Sequence, residues 1–408
     1  MKLALLGVDA STLALAAAPP EGATVVASAD LTPAERAALA QAAPGVPGDA
    51  TWESLLAGGI DAVLVARGES EQARVSQVRR LAAEGVPLVI AHPLSRSALD
   101  LYEIELAQRD GRAALVPWLP DRHHPWLERL ADLIDDGAAG ELGEIEQIIC
   151  ERALADRSPN RVWAWLAHDI DLLRALAGDV NRVLATGPRE PSEAALAHLT
   201  AHFSAAHGPP IRWSLERAAG EPEGRLLLVG PKARGVLRMP ERGDWELTLG
   251  ATTESFAGWS PAGEVFASLE TALAGEAVEP SWTDAVRSVE LVEAVERSLR
   301  RGKQVELRWD DNPEESNFKS TMTALGCGLL VFGLVAIVAA AVGQKVAEKL
   351  GFVWLAARLG EWPWWLLGIL ILFLILQGLR LVIVDPAAAT AGADVSSEVG
   401  EAADDDRH

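Results

Sequence analysis

Four residues that could bind a polar ligand stand at the ends of short apolar segments: Gly7, Asp30, Arg67 and His92. Asp30 follows Gly7 by 23 residues, a spacing at which a carboxylate can bond ribose hydroxyls. A guanidinium can hold a phosphate, and an imidazole can donate a hydrogen bond and titrates near pH 6.5. These types and positions predict a small-molecule site. In the simpler interpretation, Arg67 is a salt-bridged rim residue and His92 a bystander.

A second candidate pair stands later in the chain. His168 and Asp171 are three residues apart, so on a helix they share a face. A carboxylate in that position could orient an imidazole that takes up a proton. We expect no metal site, because no cysteine or carboxylate stands at ligand spacing from the remaining histidines, which are His123, His124, His198, His202, His207 and His408.

Alternating strands and helices position the first group. Apolar runs predict strands over 2–6, 24–29, 61–66 and 87–90, and helices are predicted over 9–18, 31–43 and 69–85. This order is typical of a doubly wound parallel sheet of the Rossmann type, with its ligand at the carboxyl ends of the strands. The first residues also look like a signal peptide, but Asp9 interrupts the apolar segment, so strand, turn and helix fit better.

A different pattern follows from residue 121. Short strands are predicted over 225–229, 233–239 and 245–249, a strand-like segment over 140–151 and a closing strand over 304–307. Helices are predicted over 126–135, 164–176 and 283–301. The expected fold is therefore a Rossmann-type domain over residues 1–120, followed by an α+β domain with an open, mostly antiparallel sheet over 121–311.

Two apolar segments at the carboxyl end predict a membrane hairpin. Residues 321–343 carry no charge and residues 362–384 carry one, Arg380; each is long enough to cross a bilayer. The acidic segment 385–408 is expected to be disordered. Without an export signal, the body should face the cytoplasm at an inner (cytoplasmic) membrane. The net charge of -22 disfavours nucleic acid as a partner.

Six segments in order carry a resemblance to a known family. They read VVASADLTPAERAALA, WESLLAGGIDAVLVA, GVPLVIAHPLS, DRHHPWLERLADLIDDGAAGELGEI, AHDIDLLRALAGDV and SWTDAVRSVELVEAVERSLRRGKQVEL. Across residues 1–310 they resemble the Gfo/Idh/MocA oxidoreductases. The resemblance implies NAD or NADP in the first domain and a sugar or cyclitol held against the second domain's sheet. It also implies a homo-oligomer formed through that sheet.

The same resemblance implies roles for single residues. His168 stands where the family has its catalytic base, and Asp171 would orient it. His92, in Ala91-His92-Pro93, replaces the lysine of a Glu-Lys-Pro motif and would orient the substrate. The cofactor would lie across Gly7 and Asp30, with NAD favoured because a carboxylate rejects a 2′-phosphate.

Each family motif is altered here. The phosphate-binding turn G-x-G-x-x-G reads Gly7-Val8-Asp9-Ala10-Ser11-Thr12. At an effective dielectric near 20, a carboxylate about 4 Å from a phosphate charge costs roughly 4 kcal/mol. Asp9 could instead cap the following helix. Arg67-Gly68 replaces a Thr-Pro, and Ala164 and Leu166 replace the acid and glycine that precede the catalytic histidine.

Two functions remain open from the sequence. The chain could be a membrane-anchored NAD(P)-dependent oxidoreductase of a sugar- or cyclitol-like hydroxyl. Alternatively, the altered motifs indicate a catalytically inactive, Rossmann-derived binding or scaffolding module at the membrane.

Overall fold

A five-stranded parallel sheet carries the first group of candidate residues. Its strands in the computed structural model are β1 (Lys2–Leu6), β2 (Thr24–Ala29), β3 (Ala62–Val65), β4 (Leu88–Ala91) and β5 (Leu115–Trp118). The helices between them are α1 (Ala10–Ala17), α2 (Pro33–Ala42), α3 (Glu71–Ala83) and α4 (Ala98–Gly111), with a 3-10 helix at Trp52–Ala57. The spatial order is β2-β1-β3-β4-β5. The winding direction reverses between β1 and β3, the point at which doubly wound sheets bind their ligands.

The structure describes residues 1–307 apart from 49, 189–195, 206 and 219, together with the separate residues Val342, Lys345 and Lys349. Apart from Val342, the predicted membrane helices 321–343 and 362–384 and the acidic segment 385–408 lie outside this part of the chain. Within it, no helix combines the length and hydropathy needed to cross a membrane.

A second sheet of nine strands follows. Its strands are β6 (Gln147–Leu154), β7 (Val180–Thr186), β8 (Leu199–Ala205), β9 (Ile211–Arg217), β10 (Glu223–Val229), β11 (Arg234–Pro240), β12 (Trp245–Leu249), β13 (Thr252–Phe256) and β14 (Val305–Glu306). They lie in the order β13-β12-β11-β10-β6-β9-β8-β7-β14. The β6–β9 pair is parallel and the other described pairs are antiparallel. The predicted fold class is confirmed for the two sheets, whereas self-association through this sheet stays a prediction.

Four further helices follow β5 in the described part of the chain: α5 (Pro125–Asp135), α6 (Pro159–Ala177), α7 (Pro261–Leu273), which packs against the parallel sheet, and α8 (Trp282–Arg301). The last of these joins the two cores. Its apolar residues recur every three or four positions, which gives a helix one buried face. Trp282 and Val289 pack into the core under the parallel sheet, whereas Leu291 and Val295 pack with α6 under the second sheet. Each fully buried side chain of this size contributes about 1.5–3 kcal/mol.

Some element boundaries differ from the predicted ones. β6 begins at Gln147 rather than near 140, because Gly137–Ala139 form a 3-10 turn and Gly143 has a φ of 75°. α6 begins at Pro159, five residues before the predicted start, since proline is well tolerated in the first helical turn. α4 was not predicted: exposed Leu99 and Leu106 spread apolar residues around the helix and obscure its buried face.

Candidate active site

The first turn of α1 is capped by its own side chains. The Oδ1 atom of Asp9 accepts a hydrogen bond from the Thr12 amide at 2.9 Å, and the Asp9 amide donates to Thr12 Oγ1 at 2.8 Å. The neighbouring Val8 amide donates to Glu35 Oε1 at 3.4 Å. The helix-capping interpretation of Asp9 is the one that the structure shows. Three amides that a phosphate could have used at this helix end are therefore engaged within the protein.

Asp30, at the end of β2, is paired within the chain. Its Oδ2 atom lies 3.3 Å from Nη2 of Arg74 and accepts a hydrogen bond from Gln77 Nε2 at 3.1 Å. The expectation that NAD is favoured over NADP rested on an unpaired carboxylate at this position. Because Arg74 offsets the charge of Asp30, that argument no longer holds, and the structure gives no preference between the two.

Arg67 follows β3 and reaches toward β4. Its Nη2 atom donates to the backbone oxygen of His92. Desolvation by surrounding protein atoms lowers the pKa of Arg67, and the nearby charge of Asp9 acts in the opposite direction. Arg67 also lines the cavity described below. The sequence suggested a salt-bridged rim residue. In the structure Arg67 lines the cavity, and its guanidinium supports the backbone at His92.

His92 and His168 come together although 76 positions separate them. Their ring centroids are 5.4 Å apart in an edge-to-face arrangement with an interplanar angle of 88°. Desolvation is the largest cause that lowers the pKa of His92 far below its usual value and that of His168 to about 3. The cations Arg67 and Arg152 lower the pKa of His168 further. Both imidazoles are therefore neutral at neutral pH, unlike the titration near pH 6.5 expected for His92.

Asp171 does not have the predicted orienting role. Its two carboxylate oxygens accept hydrogen bonds from Nε and Nη2 of Arg122, each at 2.9 Å. Positions three apart lie on the same side of a helix, so the reason is not their spacing: Arg122 takes both oxygens of the Asp171 carboxylate, which therefore does not orient His168. Asp171 is buried and holds α6 to the turn that carries Arg122, outside the cavity lining.

A cavity of about 780 Å³ lies between the carboxyl ends of the parallel strands, α6 and the turn between β11 and β12. The candidate residues Asp9, Arg67, His92 and His168 line it, whereas Gly7 and Asp30 do not. Other polar and aromatic side chains of its wall are Trp118, Asp121, His124, Arg152, Arg161, Trp165, Glu241, Arg242, Asp244, Trp245, Phe256 and Trp259. This volume is in the range of small-molecule sites.

A buried ion pair supports the wall beside His168. Arg152 Nε donates to Asp169 Oδ2 at 3.0 Å, and Trp213 Nε1 donates to the same oxygen at 2.8 Å. The guanidinium of Arg152 also lies 4.2 Å from the centroid of the Trp165 ring, a favourable cation–π geometry. This group fixes α6 on β6 and β9, and with it the position of His168. Its members lie on separate elements, so no spacing in the sequence indicated it.

Asp121 is a cavity residue that sequence reasoning missed. It follows β5 in a short 3-10 turn and lines the same cavity as the two histidines. Desolvation raises the pKa of Asp121 to about 6, the carboxylates of Asp169 and Asp171 add to the rise, and Arg152 opposes it. His92 was selected because it is a polar residue at the carboxyl end of a parallel strand. Asp121 follows β5 in the same way, but the sequence analysis did not predict β5.

Aromatic side chains form the outer wall of the cavity. His124 stacks on Trp245 with ring centroids 4.2 Å apart, and Trp259 lies 4.6 Å from His124. Desolvation lowers the pKa of His124 to about 4, so this imidazole is neutral as well. Three residues of the cavity wall carry a buried ring nitrogen that has no hydrogen-bond partner within the described part of the chain: His92 Nε2, Trp165 Nε1 and Trp259 Nε1.

The arrangement of the two sheets can be compared with that of known proteins. Solved structures that share it, a Rossmann-type sheet followed by an open, mostly antiparallel sheet, are Gfo/Idh/MocA-type oxidoreductases at low sequence identity. No profile of a known protein family matches the chain, and no curated protein sequence does.

Solved structures match it. They include a myo-inositol dehydrogenase from Corynebacterium glutamicum (20% identity, TM-score 0.58) and an aldose-aldose oxidoreductase from Caulobacter crescentus in complex with glycerol (17%, 0.61). A third is an oxidoreductase from Agrobacterium radiobacter in complex with NAD+, L-tartaric acid and magnesium (20%, 0.58). Each alignment covers 75–76% of this chain and 98–99% of the other. At these identities the likeness shows the fold.

Asp121 should make the stability of the protein depend on pH. A carboxyl whose pKa is raised by folding stabilises the folded state at low pH and loses that contribution as the pH rises toward about 6. We therefore expect Asp121→Asn to be more stable than the unmodified protein at about pH 7 by about 1–2 kcal/mol, and not at about pH 4. Chemical unfolding followed by tryptophan fluorescence measures the difference. The exposed Asp110→Asn is the matched control, and equal differences at both pH values would contradict the expectation.

Proposed function

We propose that the body of this protein binds a hydroxylated, sugar- or cyclitol-like small molecule in the cavity between its two sheets. The observation that carries this proposal is a set of ring nitrogens that are buried in the cavity wall without a hydrogen-bond partner in the described part of the chain: the indole N–H groups of Trp165 and Trp259, and Nε2 of His92. A buried polar group without a partner costs about 1–3 kcal/mol, so hydroxyl groups of a ligand, which both donate and accept hydrogen bonds, would recover that energy.

The shape and chemistry of the wall support the same ligand class. Aromatic rings such as Trp245 and Trp259 offer flat apolar surface, and Asp121 and Arg161 offer polar contacts at the sides. Sites of this kind combine apolar walls with a few polar groups that fix orientation. Two of the matching solved structures hold glycerol and L-tartaric acid, which are small polyhydroxylated molecules.

The dinucleotide crevice does not fit the cofactor that the resemblance implies. The amides of Val8, Asp9 and Thr12 donate to the side chains of Glu35, Thr12 and Asp9, and Arg74 occupies the space beside Gly7. For this reason we assign no reaction step to a nicotinamide group. The geometry supports the binding module better than the active enzyme.

A second candidate function is an NAD(P)-dependent oxidoreductase of the same ligand. The contact between His92 and His168 at the switch point favours it, since neutral imidazoles can accept a proton from a substrate hydroxyl. Asp121 is better matched to that task, because its pKa of about 6 is nearer to neutral pH than the value of about 3 for His168.

Polyol binding tests the first proposal. We expect a member of a panel of myo-inositol, glycerol, L-tartrate and hexoses to raise the melting temperature of the full-length protein in a saturable way. Trp259→Phe keeps an aromatic ring and removes the donor, so its dissociation constant should rise about 5–10-fold. Trp52→Phe, outside the cavity, is the control and should leave the constant unchanged. No shift with any polyol would contradict the proposal.

Cofactor binding separates the two candidates. Titration of the full-length protein with NADH, followed by nicotinamide fluorescence, should show no saturation at millimolar cofactor if the binding module is correct. Saturable submillimolar binding would favour the oxidoreductase. In that case Asp9→Gly should tighten NADH binding at least about tenfold, because it removes a carboxylate from beside the phosphates. Asp156→Gly, at an exposed position elsewhere, should have no effect.

We further propose that residues 321–343 and 362–384 form a membrane hairpin and that the body faces the cytoplasm. The proposal rests on the length and hydropathy of the two segments. Alkaline phosphatase fused within 344–360 should be active, because that loop would face outward, whereas a fusion at 311 should be inactive. The reverse pattern would place the body on the other side of the membrane.

A further inference from the structure

A single arginine occupies the crevice beside Gly7. Arg74 lies in the first turn of α3, and its side chain is only 4% exposed. A Cβ atom built on Gly7 would lie 2.7 Å from Arg74 Nη2, and one on Gly68 would lie 2.9 Å from Arg74 Nε. The guanidinium therefore packs directly on the backbone of the two turns that follow β1 and β3. In doubly wound sheets this region receives the adenosine half of a dinucleotide.

Charge attraction and shape hold Arg74 there, rather than a full set of hydrogen bonds. Asp30 is its ion-pair partner at 3.3 Å, and the charges of Asp30 and Glu35 both raise its pKa against the larger effect of desolvation. Its Nε and Nη1 atoms have no hydrogen-bond acceptor among the described residues. A guanidinium in this state fills space and neutralises neighbouring acids, at some cost in desolvation.

The groups that would recognise a nucleotide are engaged at the same time. Asp30, the carboxylate placed to bond ribose hydroxyls, is held by Arg74 and Gln77. The amides of Val8, Asp9 and Thr12 are engaged by nearby side chains. The cavity is separate from this group, since neither Arg74 nor Asp30 belongs to its lining.

We propose that Arg74 determines the ligand specificity of this fold: its guanidinium takes the place of an adenosine ribose on Asp30, so adenine nucleotides are excluded and ligands are confined to the cavity. The inference rests on the proposed function for the location of the ligand. Its test uses a different molecule, so the two can fail separately.

Adenosine is the appropriate probe, because it carries no charge and removal of the arginine does not change its electrostatic attraction to the site. Ligand-observed NMR on the full-length protein should show no saturable adenosine binding for the unmodified protein. Arg74→Ala should bind adenosine at least about tenfold more tightly, which corresponds to about 1.4 kcal/mol. In the Arg74→Ala background, Asp30→Asn should cancel the gain, since the freed carboxylate is the group that bonds the ribose.

Arg79→Ala is the matched control. Arg79 lies on the same helix, is 47% exposed and pairs with Glu103, so its removal should not promote adenosine binding. Arg74→Ser is a second variant in case Arg74→Ala is poorly folded, which its melting temperature would reveal. A folded Arg74 variant without increased adenosine affinity would overturn the proposal, as would equal adenosine affinity in the unmodified protein. If no polyol bound, the proposed ligand would be wrong, but the adenosine experiment could still be interpreted, because it measures binding beside Gly7 and not in the cavity.

Discussion

The buried ion pair between Arg152 and Asp169 is the interaction on which the candidate site depends. It joins β6 to α6, and Trp213 on β9 completes the hydrogen bonds of the carboxylate. Loss of one partner from such a pair usually costs about 3–5 kcal/mol, because a charge is then left buried and unpaired. The same pair sets the helix that carries Trp165 and His168, so the wall of the cavity and the contact between the two histidines are consequences of its geometry.

The cavity and the crevice beside Gly7 differ in the charge states of their polar side chains. In the cavity, desolvation keeps the imidazoles of His92 and His168 neutral, so these two side chains offer hydrogen bonds without a charge. In the crevice, Asp30 and Arg74 are already paired with each other. A neutral, polar ligand fits the first environment, whereas in the second a pyrophosphate would meet amides of Val8, Asp9 and Thr12 that are already bonded to side chains. This contrast is the physical basis for separating small-molecule binding from cofactor-dependent catalysis.

The fold matches that of solved oxidoreductases, whereas the amides of Val8, Asp9 and Thr12 are bonded to side chains within the protein. The strand order, the switch point and the open second sheet match solved oxidoreductases along nearly their whole length. Each of these features depends on apolar burial and tolerates changes in polar residues. A phosphate-binding turn needs backbone amides that are free to donate hydrogen bonds to the phosphate. A single side chain, such as that of Asp9, can occupy one of these amides. A fold of this kind therefore constrains where a ligand sits more than which reaction follows.

The sequence by itself determined the alternation of strands and helices, the cap of α1 and the placement of His92 at a strand end. These features depend on residues within a few positions of one another, so spacing alone reveals them. It also predicted the membrane hairpin from segment length. Only the tertiary structure decided that Asp171 pairs with Arg122, that Arg74 occupies the crevice and that Asp121 lines the cavity. Each of these contacts is made between residues that are distant in the chain. Their charge states depend on burial, which no local sequence pattern encodes.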